Sequence, residues 1–371
     1  MTNLAFRTDA SLQIGTGHVM RCLTLADALL AAGIRCHFIC RAHPGNLIEQ
    51  IRQRGFSVSV FPAPAAAAMP LTDGLGASSQ PIHATWLGVD WATDSEQTKV
   101  CIGDTVVDWM IVDHYALDAR WEKAVRPLCR RLMVIDDLVD RPHDCDLLLD
   151  QNLGRDAVDY RGLVPDACTV LAGARYALLR PEFAALREDG LRRRTRPQLK
   201  HMLIAMGGVD QADATGKVLE ALLVCSLPSD MRITVVMGSH APWLERVQSL
   251  ARQMPQATEV MVNVNNIAEL MADSDFAIGA AGTTSWERCC MGLPTLIVVL
   301  AENQRNVGAA LEQSGSTLLL DSIEAIPHAL PSMLRVLVTT DALNQLSQKS
   351  RLVTDGQGAR RVIDAMCERH D

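Results

Sequence analysis

Two kinds of hydrophobic pattern alternate along the chain. Short continuous runs rich in Val, Ile and Leu are separated by longer stretches in which apolar residues recur every three or four positions. The first kind reads as strands buried on both faces of a parallel sheet, the second as amphipathic helices covering that sheet. In the first half, strands are predicted at 3–8, 34–40, 57–61, 108–113, 132–136, 146–150 and 168–172, and helices at 18–32, 45–54, 95–105 and 118–129. The pattern restarts with the strand Lys200-His-Met-Leu-Ile-Ala-Met and continues with strands at 231–237, 258–262, 276–280, 295–300 and 316–320. Helices there fit 212–224, 241–253, 267–273, 284–291, 303–314, 340–350 and 358–368. Residues 62–82 have no period and are rich in Pro, Ala, Gly and Ser, so they read as a surface loop or insertion.

This βαβ alternation predicts an α/β fold of two Rossmann-like domains facing a cleft. The expected division is 1–180 for an N-terminal domain, 181–198 for a linker, and 199–371 for a C-terminal domain. The basic stretch Arg192-Arg-Arg-Arg-Thr-Arg-Pro197 reads as a solvated part of that linker. With 371 residues, 48% hydrophobic and 21% charged, the chain has enough apolar material for two cores. A net charge of −8 argues against a nucleic-acid partner, which selects for a basic surface. Eleven cysteines without a CxxC pair suggest small buried hydrophobes in a reducing compartment, as at Cys36, Cys40, Cys289 and Cys290. The sequence contains no secretory signal pattern and no apolar run of about 18 residues, so a cytoplasmic protein without membrane insertion is expected.

Candidate chemistry gathers where predicted strands run into glycine turns. Ser11-Leu-Gln-Ile-Gly-Thr-Gly-His18 follows the first strand and opens a helix. Gly15 and Gly17 let backbone pass close to a ligand. His18 falls in the first helical turn, where the dipole disfavours the imidazolium and suits a general base. It is assigned as the base of a nucleotide-sugar enzyme; the plainer alternative is a histidine that merely starts a helix. Arg7, Asp9 and Arg21 suit a sugar or phosphate, or else form a structural ion pair. In the second half, Gly282-Thr283-Thr284-Ser285-Trp-Glu287 offers amides and hydroxyls to phosphate oxygens and a carboxylate to a ribose diol. Helix capping and the dipole would also account for those residues. Gly207 and Gly208 offer a third backbone approach, with Asp210 nearby. Asn303 and Gln304 suit sugar hydroxyl or acetamido groups, or cap the helix that follows. Polar residues also end three first-half strands, in Asp113-His-Tyr115, Asp136-Asp137 and Asp150-Gln-Asn152, without showing which of them face a ligand. Asp136 with Asp137, and the His143-Asp-Cys-Asp146 stretch, resemble metal ligands only superficially.

Taken together, these motifs resemble a known family. Phe6-Arg-x-Asp9, Ile14-Gly-x-Gly-His18 and Arg21-Cys-Leu-Thr-Leu-Ala open the match. Trp86-Leu-Gly-Val-Asp-Trp91, Val112-Asp-His-Tyr115, Val134-Ile-Asp-Asp-Leu138 and the run from Asp144 to Asn152 extend it. Tyr176-Ala-Leu-Leu-Arg-Pro-Glu-Phe183, Gly207-Gly-Val-Asp210, Thr284-Ser-Trp-Glu-Arg-Cys289 and Ala301-Glu-Asn-Gln304 complete it. The set is similar to the UDP-2,4-diacetamido-2,4,6-trideoxy-β-L-altropyranose hydrolases of pseudaminic acid biosynthesis, which supply a sugar for flagellin or surface glycans. That resemblance implies a glycosyltransferase-B-like fold, related to the transferase that adds N-acetylglucosamine in peptidoglycan synthesis. It also implies hydrolysis at the anomeric carbon with inversion, releasing UDP. His18 would activate water, Asn303 would contact sugar or phosphate, and Gly282 to Glu287 would hold the nucleotide. No cofactor or metal is implied, and the alternatives are a UDP-sugar glycosyltransferase of the same fold or a hydrolase for a related diacetamido UDP-sugar.

Overall fold

The computed structural model describes residues 3–63, 81–196, 198–337 and 340–368. Most of the expected loop at 62–82 therefore lies outside the described residues. The chain forms two compact units, residues 1–178 with 358–371, and residues 179–357.

The first unit carries a seven-stranded parallel sheet. Its strands are β1 (Asn3–Thr8), β2 (Arg35–Arg41), β3 (Ser57–Phe61), β4 (Val107–Asp113), β5 (Cys129–Ile135), β6 (Leu147–Asp150) and β7 (Thr169–Ala172), in the order β3-β2-β1-β4-β5-β6-β7. Helices α1 (Gly17–Ala31), α2 (Ile48–Gln53), α3 (Trp91–Ile102) and α4 (Ala119–Val125) connect them. The strands are buried on both faces, which is why they read as continuous apolar runs rather than alternating ones. One face packs Leu4, Phe6, Phe38 and Ile111 against Cys22, Leu23, Ala26 and Leu29 of α1. The other packs Ala5, Met110, Val112 and Leu132 around Trp121 and Tyr160. Phe6 and Phe38 stack with ring centroids 4.8 Å apart. Each such side chain withdrawn from water contributes about 1.5–3 kcal/mol. Helix α1 is stopped by Gly33, whose φ of 80° turns the chain so that the Ile34 N–H reaches the Leu29 carbonyl at 3.0 Å.

The second unit has six parallel strands: β8 (His201–Ala205), β9 (Arg232–Met237), β10 (Ala257–Val262), β11 (Phe276–Ala280), β12 (Thr295–Val298) and β13 (Thr317–Leu320). Their order, β10-β9-β8-β11-β12-β13, repeats that of the first sheet, although no repeat is visible in the sequence. Helices α5 (Pro181–Arg193), α6 (Ala214–Leu223), α7 (Leu244–Ala251), α8 (Ile267–Asp273), α9 (Thr284–Cys290), α10 (Arg305–Gln313), α11 (Ile326–Leu337) and α12 (Thr340–Ser350) belong to this unit. Its core joins Met202, Ile204, Ile233, Val235, Ile278 and Leu296 to Val218 and Leu222 of α6 and Leu330 and Leu334 of α11.

Three sequence expectations change. Residues 181–193 are helix α5 of the second unit rather than a linker, and in the basic stretch Arg192, Arg193 and Arg196 are exposed as expected whereas Arg194 is not. Arg194 is 4% exposed and donates to the carbonyls of Gly190 (2.6 Å), Met291 (2.9 Å) and Ser274 (2.7 Å), while Arg193 pairs with Asp275 at 2.8 Å. The last helix, α13 (Gly358–Cys367), belongs to the first unit rather than the C-terminal one. Val362 and Met366 enter the α1-side core, and Arg361 donates to the Arg175 carbonyl at 2.9 Å. Helix α11 is an addition: Pro327 and Pro331 hid the four-residue spacing of Ile326, Leu330 and Leu334. Among the described residues, no helix is long and apolar enough to cross a membrane.

Candidate functional site

In open parallel sheets the strand order reverses at one point, and ligands bind beyond the carboxyl ends of the two strands there. In the first unit that point lies between β1 and β4, where Thr8 stands in register with Asp113. The chain leaves β1 through a tight turn in which the Ser11 hydroxyl accepts from the Gln13 and Ile14 amides at 3.1 and 2.9 Å. Gly15, with φ of 81°, donates back to the Ser11 carbonyl at 2.8 Å. Helix α1 then begins at Gly17, and His18 comes to lie beside the end of β4.

His18 Nδ1 is 2.6 Å from Asp113 Oδ1. Arg21, one turn further along α1, donates to both Asp113 oxygens through Nε (2.6 Å) and Nη2 (2.7 Å), and to Asp137 through Nη1 (2.9 Å). Its Nη2 is 3.3 Å from His18 Nδ1. With Arg21 already committed to carboxylates, the network assigns the Nδ1 hydrogen to the shorter bond with Asp113. Nε2 is then the basic nitrogen, and it has no partner among the described residues. Burial alone would raise the pKa of Asp113, but Arg21 and His18 outweigh it and hold the carboxyl well below its ordinary value. Asp137 also accepts from the Tyr115 hydroxyl. The Tyr115 ring meets His18 edge-on at 4.4 Å and continues into a half-buried aromatic group with Trp86 and His83.

Arg7 and Asp9 are not available to a sugar or phosphate. Both are fully buried, joined at 2.8 Å, and tied into the sheet. Arg7 donates to Asp94 at 3.0 and 2.7 Å, Arg41 Nη2 reaches the same carboxylate at 2.7 Å, and Asp9 accepts the Arg41 amide at 2.6 Å. The ion-pair alternative describes them. Arg21 likewise positions the dyad rather than facing a ligand. Asn152 is half-buried beyond β6, its amide bonded to Asp150 at 2.9 Å. The strand-end motifs divide in the same way. Asp113, Tyr115 and Asp137 join His18, whereas His114 and Asp136 turn inward, Asp136 onto Arg141 at 2.8 Å. His143 pairs with Glu122 at 2.7 Å. Among the described residues, no group of three metal-ligating side chains converges.

In the second unit the reversal lies between β8 and β11, with Ala205 in register with Gly279. Gly207 and Gly208 follow β8 and are exposed; Gly207 has φ of 103°, and the Gly208 carbonyl accepts from Gly238 at 3.0 Å. Asp210 caps α6, accepting from the Ala214 and Thr215 amides at 2.9 and 2.8 Å. Beyond β11, Gly282 leads to Thr283, which is exposed and makes no capping bond. Thr284 is half-buried, and Ser285 is sealed inside, bonded to the Ala280 carbonyl at 3.3 Å, so Ser285 does not face a ligand.

Glu287 has a single long ionic contact, 3.7 Å from Arg180, and desolvation pushes its carboxyl up to about 7. Beneath the turn lies Arg288, 2% exposed, donating to the Ala280 carbonyl (2.6 Å), Ser285 Oγ (3.0 Å) and Thr284 Oγ1 (3.1 Å). Burial lowers its pKa to about 10. Gln304 turns its carbonyl oxygen to the Leu300 amide at 3.1 Å, which is the capping alternative, while Asn303 is exposed.

Comparison with known proteins places these features. Residues 202–364 match the glycosyltransferase family 28 C-terminal domain. An uncharacterised protein of Methanocaldococcus jannaschii is 26% identical over 81% of this chain and 56% of its own, so this chain spans little more than half of that relative's length. The UDP-2,4-diacetamido-2,4,6-trideoxy-β-L-altropyranose hydrolase of Campylobacter jejuni is 27% identical over 84% of this chain and 96% of its own. The crystal structure of Acinetobacter baumannii MurG superimposes with a TM-score of 0.69 at 16% identity, covering 99% of each chain. The protein therefore has a glycosyltransferase-B-like fold, built from two parallel-sheet α/β units of seven and six strands.

Proposed function

We propose that the protein hydrolyses a UDP-sugar, with UDP-2,4-diacetamido-2,4,6-trideoxy-β-L-altropyranose as substrate, releasing UDP and the free diacetamido-trideoxy sugar with inversion. The observation that carries this reading is the 2.6 Å His18–Asp113 pair, beyond the carboxyl ends of β1 and β4. Water attacks the anomeric carbon while His18 Nε2 takes its proton. The bond from that carbon to the UDP oxygen breaks, and its electron pair leaves on the β-phosphate. Asp113 fixes the ring and faces the imidazolium that forms, which lowers the cost of proton transfer. In the second unit, the amides from Gly282 to Thr284 receive the diphosphate and Glu287 accepts from the ribose hydroxyls. Gly207, Gly208 and Asn303 complete the ligand contacts. A single displacement of this kind inverts the anomeric configuration. The similarity to the Campylobacter hydrolase over most of both chains supports the substrate assignment.

A second reading, transfer of the sugar to an acceptor alcohol, is favoured by the match of residues 202–364 to a glycosyltransferase domain. The same base would then deprotonate the acceptor. Purified protein given the diacetamido UDP-sugar without acceptor distinguishes the two. Stoichiometric UDP release is expected, and absence of release in that assay removes the hydrolase reading.

A further inference from the structure

Arg288 is among the largest fully buried side chains of the protein, and no carboxylate lies within ion-pair distance of it among the described residues. Its Nε has no hydrogen-bond partner among the described residues. Glu287 acts on its charge only from beyond ion-pair distance, and a guanidinium sealed from water without a close anionic partner is expensive. Its position is also built for it. A Cβ on Gly279 would lie 2.6 Å from Arg288 Nη1, so glycine at the end of β11 leaves the space the guanidinium occupies. From there Arg288 Nη2 bonds the Ala280 carbonyl and Ser285 Oγ, and Nη1 donates to Thr284 Oγ1 at 3.1 Å. Because that oxygen accepts from Arg288, the Thr284 hydroxyl hydrogen remains to be donated elsewhere. Thr284 is half-buried at the turn, and its hydroxyl has no acceptor among the described residues.

We propose that Arg288 is a positioning residue for an anionic diphosphate. Its charge is fully balanced only when the ligand's negative charge arrives nearby, and it acts through Thr284, whose polarised hydroxyl donates to a phosphate oxygen. The inference rests on the nucleotide reading of the second unit but not on hydrolysis, so its test uses binding alone. Paired ligands isolate the phosphate contribution: UDP and uridine, titrated calorimetrically into wild-type protein and into Arg288→Met. Met has similar length without the charge.

The expected result is that Arg288→Met weakens UDP by roughly tenfold or more, the scale of one charge-assisted hydrogen bond, and leaves uridine within about twofold. The unliganded variant should be as thermally stable as wild type or more so, because an unpaired buried charge has been removed. Its melting temperature should gain less from UDP. Equal losses for UDP and uridine, or a variant that is strongly destabilised without ligand, would mean that Arg288 is structural and overturn the proposal. Thr284→Val is the second variant, and it should lose UDP affinity selectively while retaining uridine. An unchanged UDP-to-uridine ratio there also overturns the proposal. If wild-type protein bound uridine and UDP alike, the diphosphate role would fall whatever the fate of the hydrolase assignment.

Discussion

The two sheets share one strand order, yet the polar groups at their reversal points are organised in opposite ways. In the first unit the charges around Arg7 and beside His18 are held in close ion pairs, although burial there also pushes the Asp150 carboxyl up to about 7. Arg7, Asp9, Asp94 and Arg41 pair with one another along the sheet, and Arg21 pairs with Asp113 and Asp137 beside His18 at its carboxyl end. In the second unit the glycine turn keeps a buried cation with no carboxylate within ion-pair distance among the described residues, and a glutamate whose carboxyl is pushed up to about 7. On the proposed function, the paired network holds the His18 ring in one geometry before substrate arrives. An unpaired site is completed by a charged ligand. On that reading, one fold provides a preorganised base in one half and an electrostatic cradle completed by ligand in the other.

The largest effect expected from this contrast is on turnover. His18→Ala should lower the rate of UDP release by about 10²–10⁴-fold, the usual contribution of general base catalysis, while UDP affinity stays near wild type. Asp113→Asn should lose a large part of the same factor, because an amide that donates to Nδ1 selects the wrong tautomer. Full activity in either variant would break the account of the first unit. Next comes stability. Asp94 holds both Arg7 and Arg41 and accepts from Trp121 Nε1 at 3.1 Å. Asp94→Ala takes the carboxylate from buried Arg41 and leaves Arg7 with Asp9 alone, and should cost about 3–5 kcal/mol by denaturant unfolding. The neutral or stabilising outcome expected for Arg288→Met is its counterpart, and similar losses in both variants would erase the contrast.

The pH dependences also differ in sign. Burial would raise the pKa values of Asp9 and Asp94, but the arginines beside them win and hold both below the ordinary range. Their stabilisation is full above the ordinary carboxylate range and is lost as pH falls through the depressed values. Glu287 is raised, so its contribution is present below the ordinary glutamate value and fades as pH rises to about 7. The ionised form is the better acceptor for a ribose diol. Uridine affinity should therefore increase a few-fold as pH rises through about 7, and Glu287→Gln should flatten that profile. A slope unchanged in the variant would assign the titration to another group. Uridine is the probe here because it carries no phosphate to titrate in that range.

Most of the architecture was legible because parallel strands buried on both faces leave unmistakable apolar runs. All thirteen strands fall where those runs lie, within a few residues at their ends. Position was harder to read than existence. Nothing local distinguishes α5 as part of a compact unit from a linker, since the buried bonds of Arg194 are made to residues some 77 to 97 positions away. The final helix crosses back to the first unit through contacts equally remote in sequence.

The same limit applied to the site. His18 could be singled out from a glycine turn and a helix start, both of them local. Its partner Asp113 lies 95 residues away, in a strand-end motif where several acids looked equivalent. Arg7 and Asp9 looked like ligand contacts because the sequence does not show that they point into the sheet. Arg288 appeared only as one member of the Thr284-to-Cys289 motif, with no role readable for it, since its burial follows from packing that the motif does not show.

The most direct test of the central claim is the position of the new oxygen. Purified protein should turn over the diacetamido UDP-sugar in ¹⁸O-labelled water without any acceptor. Attack by His18-activated water at the anomeric carbon predicts label at C1 of the released sugar and none in UDP. Label in the UDP phosphate would mean attack at phosphorus and contradict the mechanism.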